Sequence, residues 1–152
     1  MIKLKKILYP TDLSEYAVHA LPYAIELAST YDARLYLLYV VDNYLLGAPG
    51  SGFAGQPDDL LSRVKESGVN SLKYLREQIK GVEVESAVLI GTPHVEIVRF
   101  AREQDIDLIV LATHGRRGIA HALIGSVAEK VVQMAPCPVL AVKHPEHEFV
   151  LP

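Results

Sequence analysis

The stretch Leu108–Val142, LIVLATHGRRGIAHALIGSVAEKVVQMAPCPVLAV, reads as a strand, a glycine-rich loop, a helix and a second strand. Leu108–Ala112 and Val139–Val142 are solid apolar runs too short for helices, the pattern of strands covered on both faces. Between them Val127, Ala128, Val131, Val132 and Ala135 recur at helical spacing. Outward from this block the same alternation continues. Ile7–Tyr9, Leu35–Val41 and Ala87–Ile90 read as further buried strands. Helical stripes fall at Ala17, Ala20, Leu21, Ala24, Leu27 and Ala28, at Leu61, Val64, Leu72, Leu75 and Ile79, and at Ile97, Val98 and Ala101. Strands alternating with helices predict an α/β fold built on an open, doubly wound parallel sheet.

Local signals place some boundaries. Asp12 or Ser14 can cap the first helix, and Thr92-Pro93 is an N-cap followed by proline at the first helical position. Pro22 lies inside the first stripe and predicts a bend there, since proline removes a helical hydrogen bond. Gly47–Pro57, GAPGSGFAGQP, contains a literal G-x-G-x-x-G at Gly50–Gly55. A dinucleotide fingerprint must follow a strand directly and open a helix. Here intervening residues separate it from Val41, and Gln56–Asp59 precede the next stripe, so a flexible loop over about 43–58 is expected.

With 152 residues, the chain is expected to form a single domain over 1–152, ending in a short tail at 144–152. Apolar residues make up 50% and charged residues 22%, which excludes a disordered or fibrous chain. The net charge of −3 leaves no basic surplus for general nucleic-acid binding. Cys137, between Pro136 and Pro138, is the sole cysteine and reads as a small core residue. The opening MIKLKKILYPTD lacks the apolar run of an export signal, and no stretch is long enough to cross a bilayer. A cytoplasmic protein without membrane contact is therefore expected.

In an open α/β sheet, ligands bind outside the carboxyl ends of the strands, where the strand order reverses. The loop after Ala112 carries Gly115, Gly118 and Gly125, adjacent Arg116 and Arg117, and Ser126 just before the amphipathic run. Glycines let backbone N–H groups approach a ligand, and a helix N-terminus attracts anions. That composition suits a phosphate site, and it equally suits a plain turn with solvated arginines.

Several blocks resemble the universal stress protein family. Leu108–Val142 is similar to the family's closing half, KKILYPTDLSEYAVHAL at Lys5–Leu21 to its first strand and helix, Leu37–Asp42 to its second strand, and Val88–Pro93 to its third strand and turn. The resemblance implies five parallel strands in the order 3-2-1-4-5 with helices on both faces. It also implies a homodimer through the last strand. Nucleotide-binding members carry G-x2-G-x9-G-[ST], which fits at Gly115 and Gly125-Ser126, while Ala112 replaces the first glycine. Alanine disfavours positive φ but keeps its N–H, so a contact survives if the backbone there is extended. By this resemblance Asp12 accepts from ribose hydroxyls, and Pro10, Thr11, Val40 and Leu111 form an adenine slot. Gly115, Arg116, Gly125, Ser126 and Val127 surround the phosphates of ATP or AMP, Ala112 offers its backbone, and Mg²⁺ is carried on those phosphates; His114, inside the same loop, suits either a phosphate contact or a brace for the turn.

No P-loop, H-E-x-x-H or G-x-S-x-G is present, which favours a sensor or regulator over a fast enzyme. His19, His94, His144 and His147 share no helical face, and no metal centre is expected from them. Pro138–Val142 is apolar until Lys143, an edge suited to pairing with a second copy or to being covered by the tail His144–Pro152, whereas Val82–Glu85 alternates as a solvated edge should. The other reading is a nucleotide-free stress-response scaffold that acts through its dimer and an unidentified protein partner.

Overall fold

Apolar runs rich in Ile, Leu, Val and Tyr become strands because both of their faces find helices to pack on. In the structure, a computed structural model, residues 1–44, 57–114 and 124–145 are described. β1 (Lys6–Thr11), β2 (Arg34–Asp42), β3 (Val84–Gly91), β4 (Leu108–Ala112) and β5 (Val139–Val142) form one parallel sheet in the order β3-β2-β1-β4-β5. The chain first winds outward from β1 to β2 and β3. It then returns to the other side of β1 for β4 and β5, so the order reverses between β1 and β4.

Side chains alternate across each strand, and two cores result. Ile7, Tyr9, Leu35, Leu37 and Val110 pack with Ala20, Leu21, Ala24, Ala28 and Leu72 on one face. Leu8, Tyr36, Leu38, Val40, Ile109 and Leu111 pack with Ile97, Ala101, Ala128 and Val131 on the other. The helices are α1 (Glu15–Val18), α2 (Leu21–Tyr31), α3 (Pro57–Gln78), α4 (Pro93–Glu103) and α5 (Ser126–Met134). Gly68 lets α3 settle on β2, since a Cβ there would lie 2.6 Å from the Tyr39 ring.

Two boundaries differ from the sequence reading. The first stripe is interrupted at Pro22, where a bend was expected. α1 ends at Val18, and α2 restarts with Pro22 in its first turn, where proline needs no helical partner for its nitrogen. Pro57–Asp59 belong to α3, so the helix starts earlier than its apolar stripe; the rest of the expected loop, 45–56, lies outside the described residues. Thr92 does occupy the N-cap of α4 before Pro93, but its side chain makes no capping bond.

Cys137 is half-buried against the second core rather than fully enclosed. Burial, and secondarily the charge of Asp107, push its thiol pKa up, opposed by a backbone bond involving Ile109. The thiol is held protonated, the less nucleophilic form. Among the described residues no helix is long and apolar enough to cross a membrane.

Candidate functional site

The reversal point is built from the two loops that leave β1 and β4. Leu8 pairs with Ile109, and extending that register sets Thr11 beside Ala112 and Asp12 beside Thr113. Parallel strands lie about 4.8 Å apart, so the two loops start as neighbours.

On the β1 side the chain makes a tight, self-bonded corner. Thr11 is buried and its hydroxyl accepts from the Leu13 N–H at 3.0 Å. Asp12 Oδ1 accepts from the Ser14 N–H at 2.9 Å. Leu13 sits at φ 65°, an uncommon conformation for a branched residue that the two side-chain bonds help to impose. Ser14 then caps α1 by accepting from the Ala17 N–H at 3.2 Å. Below the corner, the fully buried Tyr9 hydroxyl donates to the Ala17 carbonyl at 2.7 Å and ties α1 to β1. Burial pushes the Tyr9 pKa up to about 12, with the Asp12 charge adding and the Thr11 hydrogen bond opposing. This anchor was missed in the sequence, where Tyr9 reads as one more strand residue.

Strand alternation sorts the expected slot. Val40 and Leu111 lie on the face of Leu38 and Ile109, and Pro10 shares the register position of Leu8. These three make an apolar floor on the α4–α5 side of the sheet. Thr11 falls on the opposite register position with Tyr9, and its backbone is what it can present to a ligand in that slot.

On the β4 side, Ala112 is part of the strand, in register with Val142, and it is absent from the residues with positive φ. The replaced glycine therefore introduces no backbone strain. Thr113 and His114 are buried; the Thr113 N–H donates to the Val142 carbonyl at 3.0 Å, and Thr113 Oγ1 lies 3.1 Å from His114 Nδ1. Gly115 and Arg116 lie outside the described residues. The chain re-enters at Ile124, and the Gly125 N–H donates to the Thr113 carbonyl. A Cβ on Gly125 would stand 2.9 Å from that same oxygen. Gly125 has ordinary extended angles, φ −72° and ψ 159°, so close approach is what this position demands of glycine.

Gly125 is also the N-cap of α5, and among the described residues no side-chain capping bond to that helix is made. The first intrahelical bond runs from the Glu129 N–H to the Gly125 carbonyl. Helix geometry therefore leaves the N–H groups of Ser126, Val127 and Ala128 without intrahelical partners. Ser126 and Val127 are exposed. These amides, with the helix dipole behind them, attract an anion. A carboxylate can accept about four hydrogen bonds, and Asp12 uses one of them in its turn with Ser14. Apolar floor, carboxylate and amide donors fit a phosphorylated nucleoside. Thr113 was missed in the sequence, because its role is to receive Gly125 across the loop. A separate cavity of about 670 Å³ lies on the other face, lined by Leu13, Val18, Arg63, Ser67, Ser71 and Tyr74.

Residues 3–143 match the model of the universal stress protein family. A universal stress protein of Methanocaldococcus jannaschii is 42% identical over 95% of this chain and 85% of its own length. The structure of universal stress protein UspA from Lactobacillus plantarum superposes with a TM-score of 0.77 at 27% identity, covering 93% of this chain and 99% of that one. The universal stress protein from Archaeoglobus fulgidus, solved in complex with dAMP, gives a TM-score of 0.57 at 27% identity over 93% of this chain and 98% of that one.

Proposed function

Because the chain belongs to the universal stress protein family, we propose that it binds an adenine nucleotide, ATP or AMP, as a stress-response sensor or regulator rather than a fast enzyme. The observation that carries this reading is the N-terminus of α5, whose first amides lack intrahelical partners and which the Gly125–Thr113 contact draws onto the end of β4 beside the Asp12 corner. The dAMP complex of the Archaeoglobus fulgidus relative supports the same ligand class.

In this reading Pro10, Val40 and Leu111 form the slot for the base, with the Thr11 backbone at its rim. Asp12 accepts from the ribose hydroxyls. The amides of Ser126 and Val127 meet the phosphates, with Ala112 at the end of β4 and His114 just after it; Gly115 and Arg116, outside the described residues, belong to the same proposed phosphate set. Mg²⁺, when present, rides on the phosphates, since that ion commonly keeps its waters and takes few protein oxygens. The described corner offers no lysine and no base–nucleophile pair, so slow hydrolysis is the most the site supports. The protein is cytoplasmic in this account.

A homodimer through β5 belongs to the same proposal. β5 ends the sheet, and Leu140 is 37% exposed and Ala141 exposed along it. At the opposite edge, Arg34 pairs with Glu83 and Glu85 beside β3. Charge blunts that edge and leaves β5 as the one fit for pairing. That apolar edge is also what favours the second reading, a scaffold working through protein partners alone.

Thermal unfolding with and without ATP or AMP separates the two. Ligand at about 100 times its dissociation constant adds about 2.7 kcal/mol. For a chain of this size that raises Tm by roughly 5–10 °C. Asp12→Ala should abolish the rise. No rise in the wild type, with no heat in calorimetry, removes the nucleotide reading.

A further inference from the structure

We propose that His19 and His144 form a two-imidazole chelate for a divalent transition-metal ion of the Zn²⁺, Ni²⁺ or Cu²⁺ class. The two residues are far apart in sequence and share no helical face, which is why no metal centre was expected from them. Folding brings them together. His19 follows α1 and His144 follows β5, and their ring centroids are 4.8 Å apart with planes inclined at 42°.

That separation can be compared with a chelate. A Zn–N bond of about 2.0–2.1 Å places a metal roughly 3.2 Å from each ring centroid. Two such rings stand about 5.2 Å apart at a tetrahedral angle and about 4.5 Å apart at a right angle. The observed distance falls between these limits. Plain aromatic packing prefers offset-stacked or edge-to-face rings, and an inclination of 42° is neither. Tyr16 meets His144 edge-on at 5.5 Å, a contact that restrains the His144 ring. Both residues are half-buried, so their rings lie at the surface of the protein. Among the described residues no hydrogen bond engages the ring nitrogens of His19, whose backbone N–H donates to the Ala17 carbonyl.

Among the described residues no group of three His, Cys, Asp or Glu is placed to hold a metal. Water therefore completes the coordination, and imidazole ligation selects the class of ion named above over Mg²⁺ or Ca²⁺. A bound ion would tie the residue beyond the edge strand to the helix that follows the Asp12 corner. This inference is independent of the nucleotide reading.

Titration calorimetry of the full chain with NiCl₂ and with ZnCl₂, in nucleotide-free buffer, tests it. One ion per chain is expected, together with a rise in Tm. His19→Ala and His144→Ala should each weaken binding by more than about tenfold. His94→Ala and His147→Ala should leave it unchanged. If His19→Ala fails to fold, as judged by circular dichroism, His19→Gln takes its place. Absence of binding in the wild type overturns the proposal. So does binding that survives the loss of His19 while requiring His144 and His147, because that result assigns the ion to the terminal segment alone.

Discussion

Gly125→Ala isolates the contact that closes the β4 loop onto α5. The position has φ −72°, so alanine meets no backbone penalty. Its Cβ, however, would lie 2.9 Å from the Thr113 carbonyl oxygen and 3.7 Å from the His114 Cα, both main-chain atoms with no rotamer to escape into. The helix start must move away, and the Gly125–Thr113 hydrogen bond lengthens or breaks. A lost bond of this kind costs about 1 kcal/mol, and overpacking by one methyl typically costs about 1–3 kcal/mol in all. Tm should fall by roughly 3–10 °C. Displacement of the Ser126 and Val127 amides should weaken ATP or AMP binding at least about tenfold, equivalent to about 1.4 kcal/mol.

The assays are urea or thermal unfolding for the first quantity and calorimetry for the second. Gly81→Ala supplies the contrast. That glycine has φ +75°, and nothing lies within 4 Å of the point where a Cβ would stand. Its cost is therefore conformational, about 1–2 kcal/mol, with no change in ligand affinity. A Gly125→Ala protein that melts and binds like the wild type would overturn this account of the cradle.

Two further outcomes follow from the structure. Tyr9 has its pKa raised from about 10 unfolded to about 12 folded, so its contribution to stability is complete below pH 10 and is lost as pH rises from 10 to 12. The loss amounts to at most about 2.7 kcal/mol; Tyr9→Phe should cost about 1 kcal/mol at neutral pH, the net worth of the bond it removes, since the Ala17 carbonyl still accepts from the Ala20 N–H, and should flatten the alkaline limb of the stability profile. An identical alkaline limb in wild type and variant would contradict this. Leu140→Glu places a charge on the exposed edge of β5 and should convert a dimer into a monomer by light scattering at micromolar concentration. A wild type that is already monomeric would end the β5 pairing proposal.

Much of the architecture was legible in the residues because strand and helix periods are local. The five apolar runs predicted the strands, although Leu140 and Ala141 of β5 are exposed; the stripe at Ile97, Val98 and Ala101 is buried as expected, whereas in the last stripe Ala128 and Val131 are buried and Val127 and Val132 are exposed. Pro22 was harder to read. Its neighbours keep helical spacing across the break, and spacing alone cannot tell a bent helix from two short ones that share a buried face. The start of α3 was also missed, because its first turn carries no apolar stripe.

Residue order alone was enough for the alternation of strands and helices, the glycine-rich character of the β4 loop and the apolar nature of the last strand. These are properties of neighbouring residues, governed by steric and hydrophobic preferences that act over a few positions. It took the folded chain to establish that Thr113 receives Gly125, that Tyr9 holds α1, that Ala112 stands in unstrained strand geometry, and that His19 meets His144. Each depends on two segments separated along the chain being brought to one place by the sheet, and no local period encodes that distance.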